Sequence, residues 1–310
     1  MGDLTYLTRA DVRGLLPGWT EMVDLVDETY AAMADGRVEL PPKPGVHPRP
    51  DSFIHAMPAY LRDRDVAAVK WVSGYPANKG LGLPYITGLL VLNDAATGLP
   101  LCMMDAAEIT AVRTAVISAA SGACVRRWAP VGWSRAAILG FGEQGRFHLE
   151  VLRALNPDAE VAAYDVDPAR LDGAAVTACA TPGDAVEGAG VVITAGPIVD
   201  DPRPVVERGW LGERALVLPI DFDALVRSDV VAAAGLFAVD DVPQYRSYQE
   251  QGHFTGWAEP HGSVGEAARD GLESDLVVCC NLGVGSLDAA FADVVYRAAQ
   301  AAGTGTRLPV

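Results

Sequence analysis

The chain has 310 residues, half of them apolar and 21% charged, which is the composition of an ordinary globular protein and enough length for two domains. Its formal net charge is −16, and its sequence pI is about 4.6. A chain this acidic is not expected to bind nucleic acid or an anionic membrane surface. A small anionic ligand stays compatible with it, because a local cationic pocket can oppose the overall field.

The cysteine pattern and the N-terminus bear on the compartment. The cysteines include no C-x-x-C pair, which predicts neither a disulfide framework nor a metal site; they are Cys102, Cys124, Cys179, Cys279 and Cys280. We expect buried, reduced thiols in a cytoplasmic protein. The start "MGDLTYLTRADV" predicts no signal peptide, and no uncharged apolar run is long enough to span a bilayer.

The first 130 residues predict a mixture of helices and strands. Residues 8–38 are helical by pattern, because apolar residues recur on one face: Met22, Val23, Leu25, Val26, Tyr30 and Met33. The proline-rich "ELPPKPGVHPRPDSF" is expected to be an irregular loop. Next come two predicted strands, "FIHAMPAYL" and "VAAVKWVSGY", a predicted hairpin, "ITGLLVLNDAATGLPLCMMD", and a predicted long helix, "AAEITAVRTAVISAASGACVRRWA".

Beyond Pro130 the pattern changes to alternating strands and helices. Strands are predicted at residues 136–140, 161–165, 191–194, 216–220, 236–239 and 276–280, and a last helix at 287–302. Such alternation predicts a parallel, doubly wound sheet. The predicted fold class is therefore α/β, with an α+β domain over residues 1–120 and a Rossmann-type domain over residues 121–285.

A glycine-rich turn follows the first strand of the predicted Rossmann domain. In "AAILGFGEQGRFHLEVL", the residues Gly140, Gly142 and Gly145 have the spacing G-x-G-x-x-G between a strand and a helix. Gly140 permits the tight turn, Gly142 lets a pyrophosphate approach the backbone, and Gly145 lets helix and strand pack closely. The spacing predicts a dinucleotide site; the alternative is an ordinary tight turn.

The end of the next strand bears on the choice of dinucleotide. In "VAAYD" the strand ends at Asp165, twenty residues after Gly145, where a carboxylate accepts hydrogen bonds from the adenosine ribose. That carboxylate would repel a 2′-phosphate, and no basic side chain follows until Arg170. The predicted cofactor is therefore NAD(H) rather than NADP(H).

Two cations occupy apolar segments upstream of the glycine turn. Lys70 lies in a predicted strand and Arg113 in a predicted helix. Cations in such places are seldom left unpaired. Together they suggest a carboxylate-bearing substrate, because Arg clamps carboxylates and a Lys beside another cation can have a lowered pKa suited to acid–base catalysis. The alternative is that each reaches the surface or pairs with a local acid.

The chain resembles the ornithine cyclodeaminase/mu-crystallin family. The resemblance covers most of the chain and is densest in residues 69–125, with the runs "KWVSGYPAN" and "TAVRTA", and it continues through "ILGFGEQGRFH". It implies that residues 1–120, with residues 286–310 returning to them, bind the substrate and form a homodimer. It also implies that the central Rossmann domain binds the nicotinamide cofactor.

The resemblance also implies roles for individual residues. Lys70 and Arg113 would contact the substrate carboxylate, and Asp221 in "LVLPIDFDAL" would be the general acid/base. The alternative for Asp221 is a helix N-cap, a position that Asp223 could also take. The predicted cofactor-binding residues are Arg113, Thr114, Gly140, Gly142, Glu143, Gln144, Gly145, Asp165, Thr194, Gly196, Pro219 and Asn281, and Leu282 is predicted to line the substrate pocket.

Four positions depart from the family pattern of the cyclodeaminases. Lys43 is the nearest counterpart of a loop arginine, and His55 replaces a glutamate that can pair with a terminal ammonium. Tyr85 replaces a threonine near the nicotinamide, and Leu225 replaces a lysine. Lys43, His55 and Tyr85 are retained as predicted substrate-binding residues. Because His55 supplies no negative charge, L-ornithine and L-lysine are expected to be poor substrates.

The predicted activity is hydride transfer at the nitrogen-bearing carbon of an L-amino acid or its imine, cyclic imines included, by an NAD-dependent dehydrogenase or imine reductase. A second possibility is a cyclodeaminase that releases ammonia with catalytic NAD. A third is a protein that binds a dinucleotide and a ligand without turnover; a general acid/base at Asp221 would have no purpose there.

Overall fold

The fold is described from a computed structural model that covers residues 3–199 and 201–309, with the side chains of residues 118–126 outside the description. The chain divides into two compact units. The first unit comprises Met1–Arg113 and Val284–Val310, and the second comprises Thr114–Gly283. Within the described residues, no helix is long and apolar enough to cross a membrane.

The strands are, in chain order, β1 Asp3–Leu7, β2 Val38–Glu39, β3 Gly45–Val46, β4 Phe53–Leu61, β5 Val66–Gly74, β6 Ile86–Asp94, β7 Pro100–Asp105, β8 Arg135–Leu139, β9 Glu160–Tyr164, β10 Thr177–Ala178, β11 Val191–Thr194, β12 Ala215–Pro219, β13 Leu236–Val239, β14 Gly262–Ser263, β15 Leu276–Cys280 and β16 Thr306–Pro309. The helices are α1 Arg9–Leu15, α2 Trp19–Ala34, α3 Ala106–Trp128, α4 Glu143–Leu155, α5 Pro182–Val186, α6 Ser228–Ala233, α7 Val242–Glu250, α8 Val264–Arg269 and α9 Gly285–Ala302. Short 3-10 turns lie at Pro76–Leu81, Pro168–Leu171 and Arg208–Trp210.

The first unit is built on a mixed sheet with the strand order β16-β1-β7-β6-β5-β4-β2, with β3 also paired to β4. Strands β4 to β7 form an antiparallel meander, and helix α9 packs on β4, β5 and β6. Side chains alternate between the two faces, so Lys70 is buried on the α9 side while its neighbour Trp71 is 53% exposed. Since Met57 and Leu90 pair with Lys70 in register, they flank it on the buried face.

The second unit is a sheet whose paired strands all run parallel, in the order β10-β9-β8-β11-β12-β15-β13-β14. Strand β8 lies between β9 and β11, so the chain order reverses beside it. In open α/β sheets, ligands bind at the carboxyl ends of the strands next to such a reversal. The α/β fold class, with a doubly wound parallel sheet and a second α+β unit, is confirmed.

The predicted helix over residues 8–38 is wrong in two respects. Helix α2 ends at Ala34, and Val38 belongs to strand β2. The structure has two helices, α1 and α2, separated at Leu16–Gly18. Leu16 is extended, at φ −64° and ψ 139°, because the ring of the following Pro17 disfavours helical geometry there. Gly18 is also extended and serves as the N-cap of α2.

The proline-rich segment and the chain ends also differ from expectation. Residues of the segment predicted as irregular form the two-residue strand β3, and β2 ends inside it; both strands pair with β4. Strand β1 pairs antiparallel with the C-terminal β16 and parallel with β7. We did not predict β1 or β16, because strands of five and four residues are too short to establish a period.

Candidate active site

In the second unit, predicted cofactor residues and the predicted general acid/base Asp221 lie along one edge of the parallel sheet. Gly140 follows β8, Asp165 follows β9, Gly196 follows β11, Asp221 follows β12 and Asn281 follows β15. The carboxyl ends of parallel strands meet at the same edge, so this topology brings together residues far apart in sequence. Thr194 and Pro219 are the last residues of β11 and β12 at the same edge.

The glycine turn has the geometry expected of a phosphate-binding loop. Gly140 has φ 94°, and a Cβ atom there would lie 2.5 Å from the carbonyl oxygen of Ala195. A Cβ atom on Gly145 would lie 2.3 Å from the Gly140 carbonyl oxygen, so helix α4 depends on glycine to approach the turn. Gly142 is the N-cap of α4, and a Cβ atom there would contact no atom closer than 3.8 Å.

That space makes the turn suitable for a dinucleotide. The N-cap residue Gly142 has no side chain with which to cap α4, whose first residues are Glu143 and Gln144. A helix N-terminus with free approach offers backbone N–H groups and a favourable dipole to a phosphate. The residues present therefore fit the pyrophosphate of NAD.

Asp165 makes three contacts within the second unit that its predicted role in ribose binding did not include. Its carboxylate accepts a hydrogen bond from the Phe141 N–H at 2.7 Å and one from the Asp167 N–H at 2.9 Å. It also pairs with Arg170 at 3.4 Å. Asp165 thus ties the end of β9 to the glycine turn. Sequence reasoning missed the proximity of Arg170, because the 3-10 turn Pro168–Leu171 brings it back toward the strand end.

Asp221 is a buried acid that accepts hydrogen bonds from two neutral groups. It is 1% exposed, and it accepts from the Thr194 hydroxyl at 2.5 Å and from the Gly196 N–H at 2.8 Å. Burial raises its pKa to about 7, although both hydrogen bonds act in the opposite direction. The carboxyl group can therefore take up or release a proton near neutral pH.

The N-cap alternative for Asp221 is wrong. Residues 221–225 form bends and turns rather than a helix, with Phe222 at φ 62°. Asp223 instead accepts a hydrogen bond from the Phe254 N–H at 2.6 Å. Leu225 lies against Gly196, within 3.3 Å of where a Cβ atom on that glycine would be.

Two residues that sequence reasoning missed anchor the loop after β15. Asp240 accepts a hydrogen bond from the Gly283 N–H at 2.7 Å, and Gln244 donates one to the Gly283 carbonyl at 3.0 Å. Asp240 directly follows β13, the strand-end position that also marked Asp165 and Asp221, so the same signal could have found it. In this loop Asn281 is 5% exposed, and Leu282 packs in the hydrophobic core.

In the first unit, the two predicted cations converge on one carboxylate. Lys70 Nζ lies 2.8 Å from Asp288 Oδ1, and Arg113 Nε lies 3.1 Å from the same oxygen. The side chain of Lys70 is fully buried, that of Asp288 is 1% exposed and that of Arg113 is 8% exposed. Burial and the nearby Arg113 lower the pKa of Lys70 to about 7, against the raising effect of Asp288. Sequence reasoning missed Asp288, which comes from the distant helix α9.

His55 and Lys43 belong to the same cationic region. His55 lies on the face of β4 that carries Met57, the register partner of Lys70, and it stacks on Phe53 at 4.5 Å. Burial, together with the charges of Lys43, His47 and Lys70, lowers the pKa of His55 to about 3. His55 is therefore neutral near pH 7. It is half-buried on strand β4.

Tyr85 was predicted to bind the substrate and Thr114 to bind the cofactor. Tyr85 precedes β6 and is 38% exposed, and its backbone carbonyl accepts a hydrogen bond from the Tyr75 N–H. Thr114 is half-buried on α3. Their predicted roles stay predictions, as do those of Glu143, Gln144, Pro219, Asn281 and Leu282.

The structure describes the side chains of four cysteines, and all four are free thiols. Cys102, Cys279 and Cys280 are buried and free, whereas Cys179 is only half-buried, so the expectation of burial is wrong there. The side chain of Cys124 lies outside the described residues. Within that part of the chain, no group of three or more His, Cys, Asp or Glu side chains could hold a metal ion.

Comparisons with known proteins show to which family the chain is related. The profile of the ornithine cyclodeaminase/mu-crystallin family matches residues 5–301. Nodulation efficiency protein NfeD of Rhizobium meliloti is 34% identical, over 99% of this chain and 98% of the relative. An archaeal alanine dehydrogenase dimer with bound NAD is 26% identical, with a TM-score of 0.85 over 99% of both chains. Thermococcus litoralis Δ1-pyrroline-2-carboxylate reductase, solved with NADH and L-proline, is 25% identical, with a TM-score of 0.84 over 98% of this chain and 99% of that one. These matches confirm the resemblance, and the chain belongs to the ornithine cyclodeaminase/mu-crystallin family.

Proposed function

We propose that this protein is an NAD(H)-dependent oxidoreductase that acts at the nitrogen-bearing carbon of an L-amino acid or its imine, cyclic imines included. The observation that carries the proposal is Asp221, an acid that is 1% exposed at a strand end and whose pKa burial raises to about 7. A protein that only binds a ligand has no use for an acid adjusted to neutral pH, whereas amine–imine chemistry requires proton transfer at nitrogen.

The proposed cofactor is NAD(H), which, when bound, accepts or supplies the hydride. The open approach to the α4 N-terminus at Gly142 supports this choice, and so does Asp165 beside the glycine turn. Two structural neighbours were solved with NAD or NADH. The preference for NAD(H) over NADP(H) rests on Asp165, although Arg170 at 3.4 Å moderates the negative charge there.

The proposed substrate carries a carboxylate that Lys70 and Arg113 bind. With Lys70 protonated, these two cations and the single carboxylate of Asp288 leave one positive charge among side chains that are at most 8% exposed. A buried charge of this kind favours an anionic partner. Arg113 contacts Asp288 through Nε, and its terminal Nη atoms are proposed to clamp a substrate carboxylate in a planar fork.

Asp221 is proposed to donate a proton to, or accept one from, the substrate nitrogen or a water molecule. Thr194 and Gly196 hold both of its oxygen atoms, which orients the carboxyl group. Lys70, whose pKa is also about 7, is a second group able to exchange a proton at neutral pH. Each group is able to serve in acid–base chemistry in either direction of the reaction.

The experiment follows the absorbance of NADH. NAD is added with each of a panel of amino acids, and NADH is added with cyclic imino acids or with keto acids plus ammonia. Net oxidation of NADH with an imine, or net reduction of NAD with an amino acid, is the expected result. Ammonia release without net change in NADH would instead indicate a cyclodeaminase. Cofactor binding without either reaction would overturn the proposal and favour a binding protein.

We also propose that the protein is a homodimer formed through the first unit. Trp71 on β5 and Leu89 on β6 are paired in register, and they are 53% and 42% exposed. Large apolar side chains exposed side by side indicate an interaction surface. Sedimentation should give a dimer for the wild type and a monomer for Trp71→Glu with Leu89→Glu; a wild-type monomer would contradict the proposal.

A further inference from the structure

Asp288 carries an oxygen atom whose role the proposed chemistry leaves open. Oδ1 accepts from both Lys70 and Arg113, at 2.8 Å and 3.1 Å. Oδ2 is buried and has no hydrogen-bond partner within the described part of the chain. Buried carboxylate oxygens are normally hydrogen-bonded, so a carboxylate that uses a single atom for two cations is unusual. Both cations are therefore held by the same atom, Oδ1 of Asp288.

The fold brings this carboxylate to Lys70 through a close approach of helix α9 to strand β4. Gly285, the first residue of α9, packs so closely that a Cβ atom there would lie 2.8 Å from the Met57 carbonyl oxygen. Met57 is the register partner of Lys70. Asp288 follows Gly285 by about one helical turn, and so it reaches Lys70. Its position in the first turn of α9 also favours a negative charge.

The protonation state of Lys70 depends on the charges around it, including that of Asp288. Strands β4 and β6 and helix α9 pack against β5. Among the charges that act on Lys70, those of Arg113 and Lys43 disfavour its protonated form, and that of Asp288 favours it. His55 on β4 is neutral near pH 7. Met57 and Leu90, which flank Lys70 in register, carry no charge.

We propose that Asp288 is a positioning residue that holds Lys70 and Arg113 side by side and keeps Lys70 protonated for the substrate carboxylate. This inference rests on the proposed function, because it assigns the two cations to substrate binding. Without the negative charge, burial and Arg113 would leave Lys70 neutral at physiological pH. The site would then lose one of its two cations while keeping its shape.

The test compares two buried aspartates of the same helix. Asp288→Asn keeps an oxygen for Lys70 and Arg113 and places its amide where Oδ2 now has no partner. The matched control is Asp293→Asn, because Asp293 is 2% exposed on α9 and pairs with Arg64 at 3.0 Å and Arg297 at 2.7 Å. Both changes remove one buried charge from α9, but only the first removes it beside Lys70.

The first readout is the pH profile of kcat/KM for the NADH-loaded enzyme. For Asp288→Asn, we expect the midpoint assigned to Lys70 to move to lower pH by about one unit or more, since each unit is a tenfold change in protonation. KM at neutral pH should rise about tenfold with it. Asp293→Asn should leave the midpoint in place. Equal behaviour of the two variants would reduce Asp288 to a structural role and overturn the proposal.

The second readout does not depend on activity. Lys70 is expected to make the free energy of unfolding rise with pH from about 7 toward 10.5, because the unfolded chain keeps the proton longer. In Asp288→Asn this rise should begin at lower pH, and in Lys70→Met it should be absent. An unchanged onset in Asp288→Asn contradicts the proposal even if no amino or imino acid is turned over, so a failure of the proposed function is recognised separately. If Asp288→Asn does not fold, Asp288→Ser makes the same comparison.

Discussion

Lys70 in the first unit and Asp221 in the second have opposite charges when ionised, yet their pKa values are shifted to the same range. Both are buried, at 0% and 1% exposure, and burial moves the pKa of each to about 7, down for Lys70 and up for Asp221. Their surroundings differ. Lys70 has the counter-charge of Asp288, opposed by Arg113, whereas Asp221 accepts hydrogen bonds from the neutral Thr194 and Gly196.

The difference shows two ways to keep a buried ionisable group useful at neutral pH. A cation beside another cation needs an anion, or it would stay deprotonated. An acid held by neutral donors needs no cation, because two hydrogen bonds favour the carboxylate enough to limit the upward shift in pKa. Each unit therefore supplies one group that can change its charge near pH 7.

The largest expected effect is on kcat, when the acid at Asp221 is removed. Asp221→Asn should lower kcat by about 10²–10⁴-fold, the usual contribution of a general acid or base. NADH binding, measured by fluorescence titration, should be retained. Asp223→Asn is the matched control, since Asp223 is a nearby buried carboxylate that contacts the Phe254 N–H and should leave kcat close to the wild type. An active Asp221→Asn would remove Asp221 from the mechanism.

The next effect is the loss of the arginine from the first unit. Arg113→Ala should weaken transition-state binding by about 2–5 kcal/mol in kcat/KM, because a desolvated carboxylate loses its partner. Arg113→Lys should recover little activity, since an ammonium cannot reproduce the planar fork. Circular dichroism confirms that both variants are folded. Full activity in a folded Arg113→Ala would show that Arg113 serves only to pair with Asp288.

The two groups should affect stability in opposite pH ranges. The stabilising effect of neutral Asp221 is present below its unfolded pKa of 3.8 and is lost as pH rises through about 7. The stabilising effect of neutral Lys70 is present above its unfolded pKa of 10.5 and is lost as pH falls to about 7. Asp221→Asn should therefore raise the free energy of unfolding by roughly 2–4 kcal/mol above pH 7 and by little near pH 4. Urea denaturation at several pH values measures this; an equal gain at both ends would contradict the assignment.

The next prediction concerns the preference of the enzyme for the side chain of its substrate. His55, with its pKa lowered to about 3, supplies no negative charge for a terminal ammonium. L-Ornithine and L-lysine should be poor substrates, and neutral or acidic side chains or cyclic imines should be better ones. His55→Glu should shift the ratio of kcat/KM toward diamino acids. Robust formation of proline and ammonia from L-ornithine by the wild type would instead favour the cyclodeaminase reaction.

The smallest expected effect concerns the cofactor in the second unit. Asp165 should make NADH bind more tightly than NADPH, by less than an isolated carboxylate would because Arg170 lies 3.4 Å away. Asp165→Ser with Val166→Arg should reverse the order; Val166 is 86% exposed, and serine keeps an acceptor for the Phe141 N–H. Equilibrium titration with both nucleotides decides it. Tighter NADPH binding by the wild type would contradict the role given to Asp165.

Local patterns predicted much of this fold. Strand β4 and strands β11, β13 and β15 have the predicted bounds, and the other predicted Rossmann strands are displaced by one residue. A short apolar run between turn residues carries its own signal, as does the glycine turn. The break at Pro17 was missed because the apolar stripe of the helix continues on both sides of it.

The candidate site was predictable only where a residue marks itself. Lys70 and Arg113 are noticeable as cations in apolar elements, and Asp221 as an acid at a strand end. Asp288 has no such signal, because an acid in the first turn of a helix is ordinary and its partners are about 175 and 218 residues away. Its role follows only from the packing of α9 on the sheet.

The most direct test of the account follows the hydride. NADH that carries deuterium at the transferable position of the nicotinamide is incubated with the protein and the best imino acid of the panel, and the product is analysed by mass spectrometry and NMR. Direct hydride transfer predicts an amino acid with one deuterium on the nitrogen-bearing carbon for each NADH oxidised. An unlabelled product, or no oxidation of NADH with any imino or amino acid at a site that binds the cofactor, would contradict it.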